Sequence, residues 1–200
     1  MTTISRHTAL HEAHEALGAH FTDFGGWDMP LRYGSELAEH KAVRESAGLF
    51  DLSHMGEVRV TGPDSVAFLN TALAGNLGVV KVGKAKYSMI LNEQAGIIDD
   101  LITYRLGETE FLVVPNAGNA PVVFAALQER AAGFDVTLVN ESDATSLVAG
   151  PGLGGHPPWP GPGRAARDHH GNAVLRRCPG HHRRYRRAPG PHGLHGRGRL

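Results

Sequence analysis

The 200-residue chain has a single cysteine, Cys178, so no disulfide closes within it, a usage compatible with a reducing compartment. It has no run of 18 apolar residues, which excludes an ordinary membrane-spanning helix. The first eleven residues show no basic stretch followed by an apolar run, so no secretory signal is expected and the cytoplasm is the default location. Also missing are Gly-x-Gly-x-x-Gly after a strand, a phosphate loop and Gly-x-Ser-x-Gly, which leaves nucleotide-cofactor and serine-hydrolase readings little support. The most uneven absence is of Lys and Glu, neither of which occurs in the last 51 residues.

That unevenness divides the chain. The formal net charge is zero, yet residues 1–149 hold 10 Lys+Arg against 19 Asp+Glu, and residues 150–200 hold 10 against 1. The tail contains 12 Gly, 8 Pro and 7 His, with no apolar run longer than Ala173, Val174 and Leu175. Such a composition buries too little apolar area to offset its ordering entropy, and disorder is expected from Gly150 onward. Three readings compete for it. One is an Arg-rich nucleic-acid arm around Tyr185, built on Arg183, Arg184, Arg186 and Arg187. A second is metal binding by His169, His170, His181 and His182. The third is translation of GC-rich DNA out of frame. Shifting the codons of residues 190–200 forward by one nucleotide permits Ala-Arg-Thr-Gly-Tyr-Thr-Gly-Glu-Asp-Gly-Phe, and the same shift at residue 150 permits Val-Gln-Gly. Eleven compatible steps in succession favour the out-of-frame reading.

Residues 1–149 have the texture of a folded domain. Leu10, Ala13 and Leu17 predict a helix over residues 7–19, with Gly18 as its stop. Ser35 caps a helix to about residue 47, with Gly48 as the left-handed residue after it. Residues 57–61 alternate as a strand, and Pro63 opens a helix presenting Val66, Leu69 and Leu73 on one face. Residues 86–91 and 96–106 read as a hairpin about Asn92-Glu93-Gln94-Ala95. Residues 111–114 predict a buried strand, residues 120–132 a helix ending at Gly133, and residues 135–139 and 145–149 two strands. Helices and antiparallel strands intersperse without a regular βαβ repeat, so the expected class is α+β.

Four segments carry possible chemistry. Asp23-Phe-Gly-Gly-Trp-Asp-Met-Pro-Leu-Arg-Tyr-Gly34 makes a rigid aromatic loop, which either approaches something flat or simply anchors Phe24, Trp27 and Tyr33 on the core. In Asp51-Leu-Ser-His-Met-Gly56, His54 has no second His or Cys at ligand spacing; a satisfied structural histidine is expected, and no metal site. Asp99 and Asp100 are strand neighbours pointing to opposite faces, which excludes a shared-proton dyad and argues for one working carboxylate. Asp100, Ile102 and Tyr104 share a face, Tyr87 lies on the opposing strand, and Asn116 offers an amide that donates and accepts. A ring bearing amino and carbonyl groups suits such a cleft.

These stretches, with Glu39-His-Lys-Ala-Val-Arg44, Ala47-Gly-Leu-Phe-Asp-Leu-Ser-His-Met-Gly56, Gly83-Lys-Ala-Lys-Tyr-Ser88 and Gly96-Ile-Ile-Asp-Asp-Leu-Ile-Thr-Tyr104, closely resemble the aminomethyltransferase (T protein) family of the glycine cleavage system. The resemblance runs in family order to Ala149. It implies the N-terminal folate-binding portion of that fold and transfer of an aminomethyl group from a lipoyl carrier (H) protein to tetrahydrofolate. Ammonia and 5,10-methylenetetrahydrofolate are the products. By the same resemblance Asp100 is the catalytic carboxylate, and Met55, Tyr87, Tyr104 and Asn116 lie near the folate. Family members are about twice this long, so the fold is expected to be incomplete and the 200-residue chain inactive. The rival readings are a folate-binding non-transferase of the kind used in iron–sulfur protein maturation, and a basic-tailed nucleic-acid-binding protein.

Overall fold

The computed structural model describes residues 5–150 and, beyond them, the strand backbone of residues 166–167 and 173–176. Helix α1 (His11–Ala16) spans six residues, shorter than the periodicity predicts. Its start is delayed because Thr8 forms a turn, its hydroxyl accepting from the Leu10 amide and donating to Asp51. Gly18, at φ 75°, stops it as expected. Strands β1 (His20–Phe24) and β2 (Trp27–Arg32) form a hairpin through Gly25 and Gly26, whose φ values of 62° and 86° suit a tight two-residue turn.

Helix α2 (Glu36–Glu45) is capped by the Ser35 hydroxyl, which accepts from the Ala38 amide. Its end corrects the sequence reading. The helix stops at Ser46, and Gly48 has no positive φ. Gly48 is required instead for close approach, since a Cβ there would stand 2.6 Å from Val43 Cγ2 and 3.0 Å from the Phe50 ring. Next come β3 (Phe50–Asp51), β4 (Val58–Thr61), α3 (Ser65–Ala72), β5 (Ala85–Leu91), β6 (Ile97–Arg105), β7 (Glu110–Val114) and α4 (Ala120–Arg130). The described chain ends with β8 (Thr137–Asn140), a 3-10 turn over Ser142–Ala144, β9 (Thr145–Ala149), β10 (Ala166–Arg167) and β11 (Ala173–Arg176).

Five antiparallel strands in the order β5-β6-β7-β4-β8 form the main sheet. Strand alternation gives it two apolar faces. On one, α3 and α4 lay Phe68, Leu69, Val123 and Leu127 against Val58, Val60, Leu101, Phe111 and Val113. On the other, Tyr104, Leu112 and Val114 pack with Leu147 of β9, flanked by Leu52, Met55 and Ile102. The second sheet, β10-β11-β9-β3, is thereby held over that second face. The arrangement is the α+β class expected from the sequence.

The expected disorder from Gly150 lies outside the described residues except at β10 and β11. There the chain is extended, with Ala173 to Arg176 pairing antiparallel to β9. Composition does not predict this, because ladder pairing uses backbone groups that every non-proline residue carries.

Candidate functional site

Between the second face of the main sheet and β9 lies a cavity of about 180 Å³, lined by Met55, Tyr87, Asp100, Ile102, Tyr104 and Asn116 with apolar walls from Leu52, Val114, Leu147 and Val148. Five residues that the sequence singles out therefore meet at one place. The register of the β5–β6 hairpin explains it. Tyr87 stands opposite Ile102 and Met89 opposite Asp100, so Tyr87 and Asp100 are diagonal neighbours on one face. The Tyr87 hydroxyl donates to Asp100 Oδ2. That bond, with burial and the nearby Asp100 and Asp99 charges, pushes the Tyr87 phenol above its ordinary value. Tyr87 is therefore a donor at neutral pH and not a base.

Asp99 points the other way and is buried, at 3% exposure. Its carboxylate accepts from the Asn116 amide nitrogen (2.9 Å), from Asn116 Nδ2 (3.0 Å) and from Asn119 Nδ2 (2.8 Å). Asn116 Nδ2 also reaches the Asp100 carbonyl (2.8 Å) and Asp100 Oδ1 (3.1 Å). One carboxylate is thus consumed in fixing the Asn116 turn, and that turn fixes the other carboxylate at the cavity mouth. Asp100 remains exposed, its two oxygens held by one donor each. The result is an acceptor-rich wall beside an apolar slot. It is suited to a flat ring whose N–H groups meet Asp100 while its face lies on Ile102 and Tyr104.

Other sequence-marked residues fall elsewhere. Trp27 is buried beneath the Arg6 guanidinium, 4.0 Å from its ring, whereas Phe24 is 58% exposed and does not anchor the loop on the core. Tyr33 is bound instead to His14, its hydroxyl 2.6 Å from Nδ1. His54 is buried as expected of a structural histidine, but it is not satisfied: Nδ1 has no partner among the described residues. Packed edge-on to Phe24 at 5.3 Å, the ring loses hydration, and burial holds its pKa below the ordinary value despite the nearby Asp51.

Two polar clusters escaped the sequence reading. His14 Nε2 lies 2.9 Å from Asp51 Oδ2, which also accepts from Thr8 Oγ1 at 2.6 Å, while Asp51 Oδ1 caps the Ser53 amide at 2.9 Å. Burial alone would raise the Asp51 carboxyl, but these bonds from Ser53, Thr8 and His14 outweigh it and hold the group below its ordinary value. Separations of 37 and 43 residues leave no sequence signal for such contacts. The other cluster surrounds Glu57. Fully buried just before β4, with neither oxygen hydrogen-bonded among the described residues, its carboxyl is pushed up to about 9 by burial and by the charges of Glu141 and Asp143.

Residues 10–152 match the family described as the GCVT N-terminal domain, and the chain belongs to that family. Over 149 residues it is 68% identical to an aminomethyltransferase of Corynebacterium jeikeium, covering 74% of this chain and 38% of that protein. It is 62% identical over 148 residues to an aminomethyltransferase of Streptomyces coelicolor, covering 74% of this chain and 40% of that one. The crystal structure of glycine cleavage system aminomethyltransferase T from Bartonella henselae is similar in fold, with a TM-score of 0.74 at 37% identity. That likeness covers 86% of this chain and 53% of the other. The chain therefore spans about two-fifths of the length of these curated relatives. The family match stops at residue 152, where the composition changes.

Proposed function

We propose that residues 1–149 are the folate-holding N-terminal part of a glycine-cleavage aminomethyltransferase. In this reading the aminomethyl group arrives on the lipoyl arm of a carrier protein and passes to tetrahydrofolate, with loss of ammonia. The observation that carries the proposal is Asp100, an exposed carboxylate steadied by Tyr87 and Asn116 at the mouth of an apolar slot. A carboxylate there accepts from a folate N–H and stabilises positive charge developing on the attacking nitrogen. Met55, Ile102 and Tyr104 supply the apolar surface on which the pterin lies. A cytoplasmic location fits the single cysteine.

The cavity of about 180 Å³ is smaller than the roughly 300 Å³ or more of sites that enclose a ligand of folate size. We therefore expect the 200-residue chain to bind tetrahydrofolate weakly and to release no ammonia from a loaded carrier. A hybrid in which residues 1–149 replace the matching part of the Corynebacterium jeikeium enzyme tests the site directly. It should turn over, and Asp100→Asn should lower its kcat by about 10²–10³-fold, the scale of losing one electrostatic stabiliser. A hybrid that folds and binds the carrier but is indifferent to Asp100→Asn would contradict the assignment. For residues 150–200 we propose an out-of-frame origin; resequencing the coding DNA across codons 149 and 150 decides it by showing or not showing one extra base.

A further inference from the structure

We propose that His7, His11 and Asp28 form a site for a divalent transition-metal ion of the zinc class, fastening the N-terminal segment to the β1–β2 hairpin. Metal-ligand atoms of these three residues all lie within 4.8 Å of one another. The turn over residues 8–11, closed by the His11 amide on the Thr8 carbonyl, stacks the His7 and His11 rings with centroids 3.7 Å apart and planes 11° from parallel. Asp28 Oδ2 stands 3.8 Å from His7 Nε2, and Glu15 Oε1 stands 3.6 Å from His11 Nε2. Both separations exceed a hydrogen bond. His11 Nδ1 is buried with no partner among the described residues.

This is an uneconomical arrangement for an ordinary surface pair. A buried ring nitrogen with no partner among the described residues carries a desolvation cost. A metal ion supplies such a partner, and two imidazole nitrogens with one carboxylate oxygen are a ligand set it favours. In a tetrahedral site neighbouring ligand atoms stand roughly 3.3 Å apart, so the cluster contracts by up to about 1.5 Å and the stacked rings turn until their in-plane lone pairs converge. The exposed His7 side chain, at 51%, and the half-buried Asp28, at 32%, have room to move. The backbone beneath them is fixed. Arg6 bridges the chain beside Trp27, its amide on the Gly26 carbonyl at 2.8 Å and its carbonyl accepting from the Asp28 amide at 2.9 Å. The hairpin buries little apolar surface beyond Trp27 and Met29, and in such a poorly cored unit metal binding adds directly to folding stability.

Titration of the full chain with Co²⁺ and Zn²⁺, read by visible absorption and calorimetry, tests the site. The histidines of residues 150–200 and Cys178 compete for metal, so a variant with His156, His169, His170, His181, His182, His192 and His195 changed to Gln and Cys178 to Ser serves as background. In that background we expect one equivalent of Co²⁺ with tetrahedral absorption bands, and at least tenfold weaker binding in both His7→Ala and Asp28→Asn. Circular dichroism checks the fold of each variant. Loss of all binding in the background variant, or binding indifferent to His7→Ala and Asp28→Asn, overturns the proposal.

Discussion

At the residue scale, Asp99 and Asp100 are adjacent, identical and differently employed. Asp99 is enclosed by three donors, so Asp99→Asn turns an acceptor into a donor facing Asn116 and Asn119. We expect it to cost about 2 kcal/mol of stability in urea unfolding. Asp100→Asn, at an exposed position, is expected to change stability by less than about 0.5 kcal/mol while removing folate binding. Equal losses for the two would contradict the division of labour. Alternation along one strand made this division legible in the sequence, since it puts neighbours on opposite faces whatever the fold. Which face was the cavity was not legible, because β9, some 45 residues away, covers it.

Glu57 makes a second residue-scale prediction. Its folded value of about 9 lies far above the ordinary 4.5, so its contribution is fully present below about 4.5 and fades as pH rises toward about 9. The slope is on the order of 1 kcal/mol per pH unit over that window. Glu57→Gln keeps the shape without the titration, so its unfolding free energy should lose that slope between pH 5 and 9. An unchanged slope would show that the group is ionised in the folded protein. Nothing in Gly56-Glu57-Val58 announces such burial; it follows from Pro115 and Ala120 crowding Gly56 on one side and the Glu141 amide bonding the Glu57 carbonyl on the other.

At the scale of elements, local chemistry was readable where the rule concerns only a few residues. The Ser35 cap and the Asn92–Gly96 turn are of this kind, the latter closed by the Asn92 amide on the Gly96 carbonyl at 2.8 Å. That turn holds Ala95 at φ 60°, a left-handed conformation that costs a residue with a Cβ about 1 kcal/mol. Ala95→Gly should therefore stabilise the hairpin by roughly that amount, less the entropy gained by the unfolded chain. The helix over residues 7–19 was over-read because periodicity cannot report that Thr8 and His14 are drawn to Asp51. The Asp51 carboxyl is held low, so this clasp is intact above pH 3.8 and is lost as pH falls below it. In acid unfolding followed by circular dichroism, Asp51→Asn should remove part of that loss at the expense of stability at pH 7.

At the scale of the whole molecule, a well-cored sheet carries α3 and α4 on one face and presents the Asp100 cavity on the other. Family membership rests on residues 10–152, and the described residues of the candidate site lie within that span. Beyond residue 150, β10 and β11 extend the sheet from β9.

The most direct measurement is a titration of the 200-residue chain with tetrahydrofolate, followed by ¹⁵N–¹H correlation spectra with assigned resonances. The account predicts saturable shifts, in the millimolar range, confined to Met55, Tyr87, Asp100, Ile102, Tyr104 and Asn116 and absent in Asp100→Asn. Shifts centred elsewhere on the fold, or none in a chain whose spectrum is otherwise dispersed, would contradict it.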